Sequence, residues 1–402
     1  MPTVGILGAG AMGAGIAQVA ATAGWDVRLI DVNPATATAA ITGIGKRIER
    51  SVAKGRMTCE QGKTLMQRLH ASVMTDLNNC DLFIEAIVED LDIKVAAMTP
   101  AIEALPESAI IATNTSSLSV SELGERIGQP ARTCGMHFFN PAPIMKLVEV
   151  VRGKSTDDAV LDRVADIATS WGKQVARCAD TPGFIVNRVA RPYYLEAFRC
   201  LEDGVADPAT IDDAMKTIGG FRMGPFELTD FIGHDVNTAT TRSVWEQWGR
   251  PSRLSPSATQ ERLVSDGTLG KKSGCGVYDW SGDSPVCVLR PPQDGCTASD
   301  GLPGPASEFC LRAAIDSDIA AKASDAQRIA FTRILLAVLN EAEWAAHDGV
   351  AEPADIDIAM RAGVNYPRGP FAWSQDIGES VVSETLRALG DSVDDGRFSP
   401  PG

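Results

Sequence analysis

The sequence predicts an α/β fold class: an open, doubly wound parallel sheet comes first, and an all-α segment that occurs twice follows it. Three observations predict this order. Short apolar runs alternate with helical periodicity up to residue 181, a glycine-rich turn follows the first run, and a helical pattern after residue 182 recurs 145 positions later. Strands that alternate with helices form parallel sheets, and 402 residues suit two or three domains.

Composition restricts the classes of protein that fit. The chain has 37 basic and 52 acidic residues, a net charge of -15, which argues against nucleic acid or an anionic membrane as a partner. The most apolar helical stretch, 329–346, carries Arg333, Asn340, Glu341 and Glu343 and is unsuited to spanning a bilayer. Nine cysteines without CxxC spacing argue against disulfides and zinc. With no secretory leader visible, we expect a cytoplasmic protein without a metal.

The N-terminus carries a glycine motif in a specific context. A buried strand is predicted over Thr3–Leu7 and a helix over Ala14–Ala23, with Gly8, Gly10 and Gly13 between them. The first glycine permits a tight turn, the second lets a pyrophosphate approach the backbone, and the third lets helix and strand pack closely. Strand, GxGxxG and helix together are typical of a Rossmann-type dinucleotide-binding domain.

The next predicted strand, Asp26–Ile30, ends in Asp31, 21 residues after Gly10. An acidic residue at this position accepts hydrogen bonds from the ribose hydroxyls and repels a 2′-phosphate. The sequence therefore predicts NAD, rather than NADP, as the cofactor.

Two further apolar runs, 81–87 and 109–112, continue the predicted sheet. Glu89 and Lys94 follow the first run, and Ser116 follows the second. Ligands bind at the carboxyl ends of strands in such sheets, so these side chains are candidates for the functional edge. The cluster of serines and threonines around Ser116 could instead cap the next helix.

A helical hairpin predicted over residues 46–68 is locally basic. It contains seven lysines and arginines against two glutamates. Such a charge run can simply be a solvated surface. Alternatively, it offers a docking site for a polyanionic handle such as the phosphates of coenzyme A.

The stretch 133–153 carries the candidate chemistry. Its pattern predicts strand, turn and strand, with the turn at Asn140–Pro143, because each proline biases the preceding residue toward extended conformations. His137 lies near the end of the first strand and Glu149 lies among apolar residues of the second. Paired, they would form a general base near neutral pH. Alternatively, the histidine is structural and Glu149 pairs with Lys146.

The domain organisation follows from these patterns and from the repeat. We predict a dinucleotide-binding domain over 1–181, a helical domain over 182–280, a linker over 281–323 and a truncated second helical copy over 324–402. The second copy has Thr332 at the position of Asn187 and lacks a counterpart of Lys271 and Lys272, so it is predicted to be structural.

Five separated motifs resemble one family, the L-3-hydroxyacyl-CoA dehydrogenases. The motifs are HFFNPAPIMKLVEVVRG, NTSS, DTPGFIVNR, GPFELTDFIG and KKSGCGVY. The duplicated helical unit is similar to the bacterial members that oxidise 3-hydroxyadipyl-CoA in phenylacetate degradation, although the linker and the second copy are shorter here. The resemblance implies NAD-dependent oxidation of the 3-hydroxyl of an acyl-CoA, in fatty-acid or phenylacetate-type catabolism.

The resemblance also implies roles for single residues. His137 would be the base, Glu149 would orient it, and Ser116 and Asn187 would hold the substrate oxygen. The implied NAD contacts beyond the glycines are Asp31, Glu89, Lys94, Asn140 and Lys272, and Lys54 would lie near coenzyme A.

Two rival functions stay open: a dehydrogenase of a free hydroxy acid or sugar acid, and a non-catalytic nucleotide-binding protein. Assembly is open as well. Single-unit members of the family dimerise through their helical domains. We therefore expect the second copy to cover that surface as an intrachain pseudo-dimer, and a homo-oligomer remains possible.

Overall fold

The computed structural model describes residues 1–291, 302, 304–393 and 395–402. They form two compact units, Met1–Phe184 and Ile185–Gly402. The division falls three residues after the predicted boundary at 181. Among the described residues, every helix is too short or too polar to cross a membrane.

The first unit is a parallel sheet with flanking helices. Its strands are β1 Thr3–Leu7, β2 Asp26–Ile30, β3 Leu69–Ala71, β4 Leu82–Glu85, β5 Ile110–Thr113, β6 Thr133–Phe138, β7 Leu147–Arg152 and β8 Gln174–Ala179. Its helices are α1 Ala11–Thr22, α2 Pro34–Ala53, α3 Cys59–Met66, α4 Leu91–Ala104, α5 Val120–Arg126 and α6 Asp158–Ser170.

The sheet has the strand order β3-β2-β1-β4-β5-β6-β7-β8. Strands β1 to β6 run parallel, whereas β7 pairs antiparallel with β6 and parallel with β8. The antiparallel register places His137 directly opposite Glu149. The predicted strand–turn–strand is therefore present, and its register brings the two candidate residues together.

Both faces of the sheet are covered, which explains the near-continuous apolar strands. Along β4, Ile84 belongs to the core on one face and Phe83 to the core on the other. Successive side chains of a strand point to opposite faces, so a strand buried on both sides has few polar positions. The carboxyl ends of the strands are then the natural place for chemistry.

The second unit is almost entirely helical. Its helices are α7 Val186–Val189, α8 Arg191–Glu202, α9 Pro208–Thr217, α10 Pro225–Ile232, α11 His234–Gln247, α12 Ala258–Ser265, α13 Gly304–Ala313, α14 Ser317–Lys322, α15 Asp325–His347, α16 Pro353–Val364, α17 Pro370–Ile377 and α18 Glu379–Gly390. Two short strands, β9 Tyr278–Asp279 and β10 Val286–Cys287, pair antiparallel.

The sequence pattern from Phe184 to about Asp203 predicts one long helix, and this prediction is wrong in detail. The segment forms two helices, α7 and α8, and Pro192 lies in the first turn of α8. Proline has no backbone N–H and suits only the first turn of a helix. The second copy has Ala337 at this position, and there α15 continues without a break.

The prediction of an irregular linker over 281–323 is also wrong in part. Residues 292–301 and 303 lie outside the described residues, but α13 and α14 occupy most of the stretch 304–323. The buried residues of α13 are Ala306, Phe309, Cys310 and Ala313. This spacing is the apolar stripe of a packed helix. The neighbouring glycines and prolines obscured it in the sequence.

Candidate active site

The candidate residues of the first unit lie at the carboxyl ends of its parallel strands. The glycine turn follows β1, Asp31 follows β2, Glu89 follows β4, Ser116 follows β5, and His137 is the penultimate residue of β6. Parallel strands end at the same edge of a sheet, where ligands of such folds bind. One edge therefore collects nearly all of the residues that the sequence singled out in this unit.

The glycine turn has the geometry that a dinucleotide requires. Gly8 has a φ of 104°, and a Cβ atom there would lie 2.5 Å from the carbonyl oxygen of Ala86. A Cβ at Gly13 would lie 1.8 Å from the carbonyl oxygen of Gly8, so this glycine lets α1 approach β1. A Cβ at Gly10 would meet nothing within 4 Å. The open space at Gly10 and the following helix N-terminus suit a pyrophosphate.

Asp31 is fixed by the turn beside it. One carboxylate oxygen accepts a hydrogen bond from the Ala9 amide at 2.9 Å, and the other accepts from the Asn33 amide at 3.0 Å. Each oxygen has a further lone pair for another donor. The carboxylate therefore lies next to the glycine turn and retains acceptor capacity, as a ribose contact needs.

His137 and Glu149 form a buried pair. The Nδ1 atom of His137 lies 2.6 Å from Oε2 of Glu149, and the two residues are 6% and 0% exposed. A carboxylate only accepts, so Nδ1 carries the proton and Nε2 of the neutral ring keeps its lone pair. The pair thus presents a base at Nε2, with a carboxylate placed to stabilise the imidazolium.

Two aromatic rings hold the imidazole in place. The ring centroids of Phe139 and Phe184 lie 4.6 Å and 5.8 Å from that of His137. Phe184 has a φ of 48°, a left-handed conformation that is uncommon for a bulky residue. Such conformations persist where the surroundings enforce them and cluster at functional sites. Sequence reasoning missed this role of Phe184, although it follows a Pro-Gly turn.

Glu89 is the centre of a hydrogen-bond cluster. Its Oε1 accepts from the Thr115 hydroxyl at 2.7 Å, from the Ser116 amide at 2.8 Å, and from the Ser116 hydroxyl at 3.2 Å. The Ser117 amide and hydroxyl also donate to it, both at 3.0 Å. Burial raises the pKa of Glu89, but the Lys94 ammonium and these hydrogen bonds outweigh burial and hold it below its ordinary value. The structure thus joins Glu89 to Ser116.

Lys94 is buried, which the sequence did not indicate. Its side chain is 1% exposed, and its ammonium lies 2.6 Å from Glu85 Oε1 and 3.2 Å from Glu89 Oε2. Glu85 itself is fully buried at the end of β4. A glutamate in an apolar strand followed nine positions later by a lysine was the available signal for this pair.

The turn between β6 and β7 packs on the helix of the glycine motif. A Cβ at Gly15 would lie 3.1 Å from the Ala142 side chain, and the Asn140 side chain beside it is exposed. At the start of the turn, the Phe138 amide donates to Asn114 Oδ1 at 2.8 Å. The His137 strand is therefore fastened to the loop that carries Ser116.

Three predicted site residues remain: Lys54, Asn187 and Lys272. Lys54 is exposed at the C-terminal end of α2. Asn187 is half-buried in α7 of the second unit. Lys272, also in the second unit, forms an ion pair with Asp235. The roles of these three residues stay predictions.

A glycine turn, an acidic residue after β2 and a His–Glu pair on a doubly wound sheet define an NAD-dependent dehydrogenase class. The family model described as "3-hydroxyacyl-CoA dehydrogenase, NAD binding domain" matches residues 3–181. The model of the "C-terminal domain" of the same family matches residues 183–280 and 330–402. The chain belongs to the 3-hydroxyacyl-CoA dehydrogenase family.

Individual relatives agree with this assignment. The chain is 39% identical to a 3-hydroxyadipyl-CoA dehydrogenase of Escherichia coli, over 99% of this chain and 95% of that protein. It is 40% identical to a probable 3-hydroxybutyryl-CoA dehydrogenase of Bacillus subtilis, over 68% of this chain and 96% of that protein. A crystal structure of 3-hydroxybutyryl-CoA dehydrogenase from Escherichia coli superposes with a TM-score of 0.88 at 38% identity, covering 100% of this chain and 97% of that one. The predicted family, fold class and cofactor NAD are confirmed.

Proposed function

We propose that this protein oxidises the 3-hydroxyl group of an L-3-hydroxyacyl-CoA to the 3-oxo group, reversibly, with His137 as the general base. The observation that carries the proposal is the buried Nδ1–Oε2 pair of His137 and Glu149 at the edge that bears the glycine turn. NAD, when bound, supplies the hydride acceptor. A non-catalytic nucleotide-binding protein has no need of a buried pair so arranged.

In this proposal the Nε2 atom of His137 takes the proton of the 3-hydroxyl as C3 is oxidised. Glu149 keeps Nδ1 protonated throughout and stabilises the imidazolium that forms. Base assistance of this kind contributes about 10²–10⁴ in rate, and the positioning of two reactants supplies much of the remainder. Ser116 and Asn187 would hold the substrate oxygen near Nε2.

The NAD contacts that we propose start from the glycine turn and Asp31. Glu89 and Asn140 would contact the cofactor nearer its reactive end. Lys94 pairs with Glu85 and Glu89, and Lys272 pairs with Asp235. Lys272 would contact NAD directly, whereas Lys94 would act through Glu89, which its ammonium contacts at 3.2 Å.

We propose that the phosphates of coenzyme A bind to the basic segment of α2 and α3. The exposed cations of this segment are Lys46, Arg47, Arg50, Lys54, Arg56 and Lys63. Six exposed cations on a chain of net charge -15 form a local attraction for phosphates. A dehydrogenase of a free hydroxy or sugar acid has no use for this surface.

The experiment that tests the proposal follows NADH oxidation by the purified full chain, with acetoacetyl-CoA and with free acetoacetate. We expect turnover with the thioester and much less with the free acid. Equal rates with both would favour the free-acid alternative, and no turnover with either near neutral pH would overturn the enzyme proposal. Reverse assays with 3-hydroxybutyryl-CoA and 3-hydroxyadipyl-CoA then separate these two substrates, and hence the fatty-acid and phenylacetate-type pathways.

We further propose that the two helical copies form a pseudo-dimer within one chain. Arg188 donates to Glu341 and Asp348 at 2.7 Å and 2.6 Å. Its counterpart in the second copy, Arg333, donates to Glu196 and Asp203 at 2.8 Å and 2.7 Å. These carboxylates are themselves counterparts, 145 positions apart, so each copy supplies the other with equivalent ion-pair partners. Such exchange is typical of a two-fold interface.

Light scattering tests this assembly. We expect that α15 covers α8 within the same chain, so that α8 is not available to a second chain. A dimer joined through α8 of two chains would contradict the proposal. A cytoplasmic location, predicted from the cysteine pattern, remains part of the proposed function and is testable by cell fractionation.

A further inference from the structure

A closed ring of side chains lies behind the Ser116 loop, which we define as residues 114–119. Glu85 Oε1 receives the Lys94 ammonium at 2.6 Å, and Lys94 also reaches Glu89 Oε2 at 3.2 Å. Glu89 Oε1 accepts from the Thr115 hydroxyl at 2.7 Å. The Thr115 amide donates to the Thr113 hydroxyl at 3.2 Å, and that hydroxyl donates back to Glu85 Oε2 at 2.6 Å.

The ring is almost entirely buried. Glu85 and Thr113 are 0% exposed, and Lys94 and Thr115 are 1% exposed, while the Glu89 side chain retains 35% exposure. Only the glutamate that contacts the Ser116 loop therefore reaches solvent. Buried ionised groups are costly unless every partner is in place, so the arrangement specifies one geometry strongly.

The ring joins three elements of the first unit. Glu85 ends β4, Lys94 lies on α4, and Thr113 ends β5. Glu85 also fixes the backbone on both sides of the ring. Its Oε1 accepts from the Ile87 amide at 2.7 Å, and its carbonyl oxygen accepts from the Asn114 amide at 2.8 Å. Glu85 is thus the member that holds the start of the Ser116 loop directly.

The same loop is also connected to the strand that carries His137. Glu89 accepts both the amide and the hydroxyl proton of Ser116, which orients that hydroxyl. Asn114 accepts from the amide of Phe138, the residue after His137. A displacement of the ring would therefore move Ser116 relative to the imidazole.

We propose that Glu85 and Thr113 are positioning residues for the dehydrogenase reaction, which act through Lys94 and Glu89 to set the place of Ser116. This inference rests on the proposed function. It also assigns Lys94 a part in this ring rather than a direct contact with the cofactor. Positioning matters at this scale, because a shift of about 1 Å in a reacting group can cost about a hundredfold in rate.

The test uses Glu85→Gln and Thr113→Val in the full chain. Glutamine keeps the shape of Glu85 but leaves Lys94 with a single carboxylate, and valine keeps the shape of Thr113 without its hydroxyl. We expect kcat for acetoacetyl-CoA reduction to fall about tenfold to a hundredfold in Glu85→Gln, and less in Thr113→Val. Matched controls are Glu103→Gln, an exposed glutamate on α4, and Thr156→Val, which removes a buried hydroxyl bound to the Thr133 carbonyl at 2.6 Å.

A double-mutant cycle separates positioning from general destabilisation. If Glu85 acts through Ser116, Glu85→Gln should have little further effect on kcat in a Ser116→Ala background. Additive losses would overturn the proposal. Hydrogen exchange of residues 113–118, measured without substrate, should become faster in Glu85→Gln and Thr113→Val than in both controls.

The outcomes also separate the proposed function from this inference. Unchanged exchange in 113–118 overturns the inference, whatever the activity. Faster exchange with unchanged kcat overturns the positioning role alone. Absence of turnover in the unmodified chain removes the proposed function, and with it the catalytic meaning of the ring. If Glu85→Gln does not fold, Thr113→Val carries the same comparison.

Discussion

Each unit of this protein buries one histidine against a carboxylate, but the surroundings of the two pairs differ. In the first unit His137 meets Glu149 at 2.6 Å, and in the second His234 meets Asp230 at 2.7 Å. Asp230 also accepts from the amides of Val277 and Tyr278 and from the Trp280 indole. That carboxylate fastens the segment around 277–280 to α10, whereas the first pair stands at the carboxyl edge of a sheet. A buried His–carboxylate pair is therefore no evidence of catalysis by itself. The evidence is the position of the pair at the carboxyl ends of the sheet strands.

The largest expected effect sharpens this contrast. His137→Gln removes the imidazole base, so kcat should fall about 10²–10⁴-fold. The free energy of unfolding in urea should fall by about 1–3 kcal/mol, because a hydrogen-bond partner of buried Glu149 is altered. A kcat close to that of the unmodified chain would remove His137 from the mechanism.

The ion pairs that Arg188 and Arg333 form between the two helical copies, called here the crossed ion pairs, should affect stability rather than kcat. Arg188→Met leaves buried Glu341 with Arg253 as its remaining arginine partner, at 2.6 Å. Breaking a buried pair costs about 3–5 kcal/mol, and we expect the lower end of that range. Arg333→Met is the matched variant and should also destabilise the chain, but by less, because Glu196 keeps Arg199 at 3.3 Å and Arg397 at 3.2 Å. A loss in only one of the two variants would break the symmetry that we infer.

Stability should also depend on pH through Asp212. Burial raises the pKa of Asp212 to about 7, despite hydrogen bonds from Tyr278 and from the amides of Phe226 and Glu227. Its value in the unfolded chain is about 4, so the folded state binds the extra proton between these limits. The associated stability is complete below about pH 4 and is lost as pH rises through about 7, by up to about 4 kcal/mol.

The check is the difference in unfolding free energy between the unmodified chain and Asp212→Asn, measured from pH 4 to pH 8. Asp357→Asn is the matched control. Asp357 accepts from the Phe371 and Ala372 amides in the same way but is only half-buried, so its substitution removes equivalent hydrogen bonds without the same burial. Equal slopes for the two variants would contradict burial as the cause.

His234→Gln tests the second histidine pair directly. We expect a loss of about 1–3 kcal/mol in stability, because a buried hydrogen-bond partner of Asp230 is altered. At a temperature where the variant is folded, kcat should stay near that of the unmodified chain. A kcat loss comparable to that of His137→Gln would place both pairs in the reaction.

Asp31→Ala should have the smallest effect. Loss of its carboxylate removes the proposed ribose contact and the repulsion of a 2′-phosphate. The ratio of kcat/KM for NADH to that for NADPH should fall, with little change in kcat for NADH. An unchanged ratio would exclude this role for Asp31.

The sequence predicted the parts of the site that depend on local pattern. The proline-bounded turn fixed a hairpin, and the hairpin register joined His137 to Glu149. The sequence did not predict the ring of side chains behind Ser116, because the contacts of Glu85 with Lys94 and Thr113 join separate elements. The break before Pro192 was also missed, although the uninterrupted second copy, with Ala337, shows its cause. Helix α13 was missed because glycines and prolines nearby outweighed a short apolar stripe.

The crossed arginines have a consequence for how this chain can change. In an assembly of identical subunits, every substitution appears on both sides of a two-fold axis. Here one chain carries both halves, so each side can vary alone: Arg199 contacts the carbonyl of Ser252, whereas its counterpart Trp344 contacts that of Ser399. Removal of either half would leave buried charges of the other half without their ion-pair partners. The duplication has therefore made the two halves mutually dependent while freeing them to become unlike.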